Sequence, residues 1–297
     1  MSSTWATNQR EQIAEINLNN TGKATPPSPV QEFAITTISS ILTGDSTSEA
    51  AADSVHQWLT SLPASDDLEN AWYQFHSLIY SAAMSTSSDK SHQGLVDLLF
   101  ALAHRGGGDD NSSPSAQILA ELKEFSWTAR DLWNGPETFS SYKTNPAQAH
   151  REWVNLNRFL AHLSVQQRNT PVAPLKNWVE DMGMWTITDG LETASGENDE
   201  NLITEHAEAA AAWLVIAGGD IYADEKWGGR DGNSVNGGPQ RAGELWGEML
   251  ARGAAEQAGR WDFWKQRLGQ IAGDKKNSQA IRNAARGAEG AMTKVES

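Results

Sequence analysis

The placement of the thirteen tryptophans constrains the fold of this chain more than any other feature. Trp153, Trp213, Trp261 and Trp264 each lie in a segment whose apolar residues recur at helical spacing. That spacing is typical of an α-helix with one buried face, whereas a half-buried strand needs strict alternation. A large indole ring suits a packed helical core, and it equally suits the wall of an apolar ligand pocket.

Start and stop signals divide the chain into about ten or eleven helices. Ser28-Pro29-Val30-Gln31 predicts a capping box with proline in the first turn, for a helix that stops at Gly44. Ser46 and Glu49 repeat the capping signal for the next helix. No segment shows the alternation of β-branched and aromatic residues that predicts a sheet. The predicted fold class is all-α, an irregular single-domain multi-helix bundle.

The predicted domain organisation is simple. Residues 1–27 are polar and end in Thr25-Pro26-Pro27, which indicates a flexible N-terminal lead. The chain is long enough for one large domain or two small ones, and residues 28–297 show no fixed-period repeat. We predict that they form a single helical domain.

Composition and charge exclude several classes of partner. The formal net charge of −15 opposes binding to a nucleic-acid backbone or an anionic membrane surface. The absence of cysteine removes disulfides, thiolate nucleophiles and iron–sulfur clusters. There is no signal-peptide pattern and no apolar run of the ~18 residues that a membrane helix needs. We expect a cytoplasmic protein with no nucleic acid and no membrane insertion, and its oligomeric state stays open.

Asp66-Asp67-Leu68-Glu69-Asn70 superficially resembles an aspartate-rich Mg²⁺ motif that grips a diphosphate. The fifth position is Asn70, however, and the two aspartates stand where a helix should begin, next to exposed amides that favour acids. We therefore interpret the motif as a helix start. The sequence also lacks a nucleophile elbow, a phosphate loop and a dinucleotide fingerprint, and its glycine-rich segment 228–238 is a lid or a plain connector. We expect no metal and no cofactor.

Glu205-His206-Ala207-Glu208 could present an imidazole beside carboxylates. Glu205 and Glu208 have the spacing of neighbours on a helix, but His206 fits neither of them. We interpret this segment as a solvated acidic face.

Asn157 is the polar residue that the sequence singles out. It borders an apolar helical stripe formed by Trp153, Leu156, Phe159, Leu160 and Leu163. An amide at the edge of a core must find hydrogen-bond partners. It either bonds a neighbouring helix, which is a structural role, or faces a cavity and donates to a substrate carbonyl.

The same residues carry a family resemblance. It is carried by five segments: Trp153 to Leu163, Trp185 with Leu191-Glu192, Ala211 to Gly219, Gly243 to Trp246, and Arg260 to Trp264. Together they resemble a fungal helical family long known only as proteins of unknown function. The resemblance runs from about Val55 to Met292. His162 departs from it, since an arginine is expected there.

Relatives of that family are encoded in natural-product gene clusters, and some assist cyclisation, including Diels–Alder-type closures. The resemblance therefore implies a cofactor-independent cyclase or isomerase acting on an apolar fungal secondary metabolite. A pericyclic closure needs a shaped pocket and one or two donors rather than a nucleophile or a metal. The alternative is a non-catalytic helical protein that carries a ligand or binds a protein partner.

The expected pocket has aromatic walls. Its predicted substrate-binding residues are Trp153, Trp185, Trp213, Trp246 and Trp261. Asn157 is the first catalytic candidate and His162 the second. These two are five positions apart, or about 140° around a helix, so they are not expected to contact the same ligand atom.

Overall fold

The computed structural model describes residues 2–62, 66–107, 113–175, 178–194, 200–223, 242–252 and 259–297. Within these residues the chain forms fourteen α-helices, two single 3-10 turns (Pro136–Thr138 and Ala173–Leu175) and no strand. The all-α prediction is confirmed, but the predicted number of ten or eleven helices was too low. The helices are α1 (Ser2–Thr21), α2 (Pro29–Thr43), α3 (Ser48–Ser61), α4 (Asp66–Ser85), α5 (Asp89–Gly106), α6 (Pro114–Glu121), α7 (Phe125–Leu132), α8 (Pro146–Asn169), α9 (Trp178–Leu191), α10 (Glu200–Ile216), α11 (Gly218–Ala223), α12 (Glu244–Ala251), α13 (Arg260–Gly273) and α14 (Gln279–Val295).

The local signals at α2 are confirmed. The hydroxyl of Ser28 accepts from the backbone N–H of Gln31, the amide of Gln31 accepts from the backbone N–H of Ser28, and Gly44 ends the helix in the left-handed region with φ 77°. At α3 the cap is Thr47 rather than Ser46, and its hydroxyl accepts from the N–H of Ala50. Adjacent hydroxyl residues offer the same chemistry, so sequence alone placed this cap one residue too early.

Helix α1 occupies most of the segment for which the polar composition predicted a flexible lead. Its side chains Trp5, Gln9 and Ile13 are buried, and these positions lie on one face because they are four residues apart. Arg10 forms an ion pair with Glu32 of α2. Two large apolar residues at the right spacing therefore anchor a helix that is otherwise polar. Because the segment has few apolar residues, its composition did not indicate this helix.

Contacts between residues group the chain into two compact units. The first is Met1–Leu132 with Val172–Leu175, and the second is Trp133–Pro171 with Lys176–Ser297. The single-domain assignment of residues 28–297 stays a prediction. No helix in the described ranges combines the length and the apolar character that crossing a membrane requires.

The first unit has an aromatic core around His76 of α4. This imidazole is fully buried, lies edge-on to Trp72 and Phe125, and has its Nε2 3.0 Å from the hydroxyl of Thr128. Trp72 and Tyr80 also hold the link between α6 and α7, since they donate to the carbonyl oxygens of Lys123 at 2.7 Å and Phe125 at 2.9 Å. Side chains of α4 therefore organise this unit.

Helix α10 is central to the second unit, where it packs against α8, α9 and α14. Its contact with α9 depends on two glycines of α9. A Cβ atom on Gly183 would lie 2.8 Å from the ring of Trp213, and one on Gly190 would lie 2.7 Å from the carbonyl oxygen of His206. The two helices approach this closely because neither position carries a side chain. The close approach brings Trp213 and His206 against α9.

Candidate ligand site

Five rings of the second unit form what we call the aromatic cluster. Trp133 and Phe139 flank the 3-10 turn, and Trp153, Trp185 and His206 come from α8, α9 and α10. The ring centroid of Trp153 lies 6.0 Å from that of Trp133, 6.5 Å from that of Phe139 and 5.5 Å from that of His206. The cluster reaches solvent at Trp185, whose ring is 5.4 Å from Trp133 and which is 37% exposed.

Two nitrogens on facing rings of the aromatic cluster are buried and unpartnered. Among the residues that the structure describes, Trp153 Nε1 and His206 Nδ1 have no hydrogen-bond partner. The two rings meet edge to face at an interplanar angle of 84°, which gives at most a weak N–H···π contact to one of them. A buried polar group without a partner costs about 1–3 kcal/mol, so this pair of nitrogens favours an added polar atom.

A third tryptophan shows why the facing pair is distinctive. Trp246 Nε1 is also buried without a partner, but its neighbouring ring is Phe263, with centroids 5.5 Å apart, and that ring has no polar atom. At Trp153 the neighbour is an imidazole. Of these two unpartnered indole donors, the one on Trp153 lies beside a ring that can accept or donate a proton.

The imidazole of His206 is held in its neutral form. Burial lowers the pKa of His206, the negative charge of Glu137 opposes this shift, and the charge of His150 adds to it. The Nε2 atom of His150 lies 3.0 Å from Oε2 of Glu208, and both side chains are partly exposed. At neutral pH one nitrogen of His206 therefore carries a proton and the other is a base.

Glu137 owes its position to the turn before Phe139. Gly135 has a φ of 104°, and a Cβ atom there would lie 2.5 Å from Oε2 of Glu137. The positive φ and the absence of a side chain let the carboxylate fold back over the turn. The carboxylate of Glu137 therefore lies against the backbone of Gly135.

Asn157 lies next to the aromatic cluster with its amide engaged inside the protein. Its Oδ1 accepts from Trp213 Nε1 at 2.9 Å and lies 2.9 Å from the hydroxyl of Thr186, while its Nδ2 donates to the carbonyl oxygen of Trp153 at 3.0 Å. An indole N–H can only donate, which fixes the orientation of the amide. The hydroxyl of Thr186 also accepts from Trp133 Nε1 at 3.1 Å. We call Trp133, Asn157, Thr186 and Trp213 the amide network.

The sequence-predicted site residues are divided among several environments. Trp153 and Trp185 belong to the aromatic cluster, and Trp213 belongs to the amide network. Trp246 packs on Phe263, and Trp261 packs on Tyr222 and Trp264 while its Nε1 donates to Glu296 at 2.9 Å. His162 is partly buried on α8. The glycine-rich segment 228–238 lies outside the described residues.

A buried ion pair joins the ends of α9, α12 and α13. Glu192 and Arg260 are fully buried, with Arg260 Nε 2.6 Å from Oε1 and Nη2 3.0 Å from Oε2 of the carboxylate. Trp264 Nε1 donates to the same Oε1 at 2.6 Å, and the backbone N–H of Gly243 donates to Oε2 at 2.6 Å. Gly243 has no side chain to cap α12, and the backbone carbonyl of Glu192 accepts from the N–H of Leu245 at 2.8 Å instead.

Sequence reasoning missed three of these features. The interpretation of His206 as part of a solvated face was wrong, because His206 is buried and lies seven positions before buried Trp213 on one face of α10. That spacing was the available signal. Trp133 was not singled out, and nothing local indicates that Glu192 pairs with Arg260 across 68 residues.

Comparison with known proteins gives a family for the chain. No curated protein and no solved structure matches it. A family model described as a protein of unknown function, DUF3632, matches residues 76–268. The matched residues lie within the stretch that carries the resemblance and make up most of the chain. The chain belongs to the DUF3632 family.

Proposed function

We propose that the second unit binds an apolar small molecule with a carbonyl group at the aromatic cluster and acts on it as a cofactor-free isomerase or cyclase. The observation that carries the proposal is the pair of buried, unpartnered nitrogens on the facing rings of Trp153 and His206. The apolar fungal secondary metabolite implied by the resemblance belongs to this proposal as its substrate.

The chemistry assigns different roles to the two rings. Trp153 Nε1–H can only donate, so it binds the carbonyl oxygen and stabilises negative charge that develops there. In the tautomer that carries its proton on Nε2, His206 has a free base at Nδ1. This nitrogen removes a proton from the carbon next to the carbonyl, and the C–H electrons move onto the oxygen as an enolate. Return of the proton to a carbon further along completes the isomerisation and regenerates neutral His206.

A cyclisation would use less of this machinery. Ring closure of a conjugated carbonyl compound needs a folded conformer and a donor that polarises the carbonyl. The cluster offers the donor of Trp153 and apolar walls from Trp133 and Phe139. The two reactions are separated by their dependence on His206, which only the proton transfer requires.

The test uses β,γ-unsaturated ketones of increasing apolar size, incubated with the protein in D₂O and followed by NMR. We expect deuterium to enter next to the carbonyl and the double bond to move into conjugation. His206→Gln removes the base and should slow the reaction by about 10²–10⁴. Trp153→Phe keeps a ring but removes the donor, and should slow it by about 10²–10³.

A matched control distinguishes the site from general imidazole catalysis. His104 is exposed on α5, so His104→Gln removes an imidazole from the surface and should leave the rate unchanged. Equal rates for His206→Gln and the unmodified protein would refute the role of His206. A lack of exchange across the whole ketone series would refute the isomerase proposal.

The second candidate is a non-catalytic ligand carrier, and the amide network favours it. The residue predicted to donate to substrate, Asn157, has both ends of its amide bonded within the protein. A carrier would bind the same ketones at the aromatic cluster and release them unchanged. Binding without deuterium incorporation would establish that alternative.

A further inference from the structure

Three indole rings form a row from the surface to the unpartnered donor, and we call it the indole row. Trp185 is 37% exposed, Trp133 is partly buried, and Trp153 is 1% exposed. Successive ring centroids are 5.4 and 6.0 Å apart, with interplanar angles of 40° and 46°. Three rings are more than the binding of a single carbonyl group requires. The row combines three adjacent indole π systems with an unpartnered donor at its buried end.

The middle ring of the row has a fixed orientation. Trp133 Nε1–H donates to the hydroxyl of Thr186 at 3.1 Å, and that hydroxyl lies 2.9 Å from Oδ1 of Asn157. Because its N–H is engaged, Trp133 has no free donor to offer a ligand. The unpartnered donor of the row is Trp153 Nε1, on the next ring inward.

We propose that the indole row selects an elongated, conjugated molecule with a carbonyl at one end. Its π system would lie against Trp185 and Trp133, and its carbonyl oxygen would accept from Trp153. Contacts between π systems add to the gain from the burial of area, so a conjugated ligand gains more from this row than a saturated one. This inference rests on the proposed binding site and adds to it the class of substrate.

The same geometry assigns Thr186 and Asn157 as positioning residues. They act through Trp133, since the hydroxyl of Thr186 is the acceptor that fixes the indole and Asn157 Oδ1 lies within hydrogen-bond distance of that hydroxyl. Without the hydroxyl, Trp133 has a free N–H and can rotate. The row would then lose its alignment while Trp153 kept its donor.

The probe is para-acetyl-trans-stilbene, which is conjugated and carries a terminal ketone. Two matched compounds each remove one feature: para-ethyl-trans-stilbene lacks the carbonyl, and para-acetylbibenzyl has a saturated linker. Equilibrium dialysis with the full chain should show that the acetylstilbene binds about tenfold tighter than either matched compound. That ratio of affinities corresponds to about 1.4 kcal/mol. Trp153→Phe should abolish the preference for the acetyl over the ethyl compound.

Variants of α9 separate positioning from general stability. Thr186→Val should reduce the preference for the acetylstilbene over the acetylbibenzyl about fivefold, and Thr186→Ser should restore it. Thr188→Val is the matched control, because Thr188 is on the same helix but bonds Arg260 at 3.2 Å, and this variant should leave the preference unchanged. A purely structural role of Thr186 would lower the unfolding midpoint without changing the ratio of affinities.

Equal affinities for the three compounds, or an unchanged ratio in Thr186→Val, would overturn the inference. Its failure is distinguishable from failure of the proposed function. Deuterium exchange dependent on His206, without preference for the conjugated compound, would refute the indole row alone. Preferential binding of the acetylstilbene without exchange in any ketone would refute the isomerase and retain the row.

Discussion

Replacement of Asn157 by alanine separates the structural role of the amide from the catalytic role predicted by the sequence. In the structure the side chain is fully buried and is the acceptor for the N–H of Trp213, which is fully buried as well. The hydroxyl of Thr186 keeps an alternative acceptor, the carbonyl oxygen of Met182 at 2.9 Å. The substitution therefore leaves one buried donor, Trp213 Nε1, without a partner.

The expected loss of stability has two contributions. An orphaned buried donor costs about 1–3 kcal/mol, and the small cavity left by the amide adds roughly 1 kcal/mol. The free energy of unfolding should fall by about 2–4 kcal/mol. Since domains of this type are stable by about 5–15 kcal/mol, the variant should remain folded with a lower urea midpoint.

The assay is urea unfolding followed by tryptophan fluorescence and far-UV circular dichroism. Asn169→Ala is the control, because Asn169 is exposed on the same helix and should change the free energy by less than about 0.5 kcal/mol. A double-mutant cycle of Asn157→Ala with Trp213→Phe should give a coupling of about 1 kcal/mol or more. An unchanged midpoint together with a loss of ligand binding would refute this reasoning and return Asn157 to the substrate.

Two further predictions concern buried ionisable side chains. Burial lowers the pKa of His76 to about 4, so the unfolded chain, with the ordinary value of 6.5, binds a proton first as the pH falls. The resulting stabilisation, about 3 kcal/mol, is present above pH ~6.5 and is lost towards pH 4. In urea titrations, the free energy of unfolding of His76→Gln should therefore depend less on pH than that of the unmodified protein or of His104→Gln. Equal slopes would contradict this prediction. Glu192→Ala leaves Arg260 charged and buried, and should cost about 3–5 kcal/mol. Glu192→Leu combined with Arg260→Met removes the unpaired charge and should recover part of that loss in thermal unfolding, but not all of it, because Trp264 Nε1 and the N–H of Gly243 still lose their acceptor. A double variant no better than the single one would contradict this expectation.

Local interactions of the fold were largely predictable from sequence. The capping box at Ser28 and the stop at Gly44 involve groups within a few residues of one another, so their geometry follows from the order of side chains. The stripe of α8 was predictable for the same reason, and so was the need of Asn157 for partners. Which partners it has depends on how α9 and α10 pack against α8. Gly183 and Gly190 permit that packing, but their sequence context does not announce it.

The predicted site was harder to derive because tryptophan serves both cores and pockets. Trp213 and Trp261 were chosen for their size, and each donates its N–H to a protein oxygen at 2.9 Å. What distinguishes Trp153 is an indole N–H without a partner, facing an imidazole. This property belongs to a pair of residues 53 positions apart. Residue type and helical spacing do not contain it.

The residues that carry the family resemblance converge on the Glu192–Arg260 pair more than on the aromatic cluster. Leu191-Glu192, the block at Gly243 and the block at Arg260 are separated along the chain, and the carboxylate of Glu192 joins all three. The aromatic cluster takes only Trp153 and Trp185 from those blocks. The segments that carry the resemblance therefore concentrate on the buried ion pair, which links the ends of α9, α12 and α13. The Glu192–Arg260 pair therefore links three segments of the second unit without using any ring of the aromatic cluster.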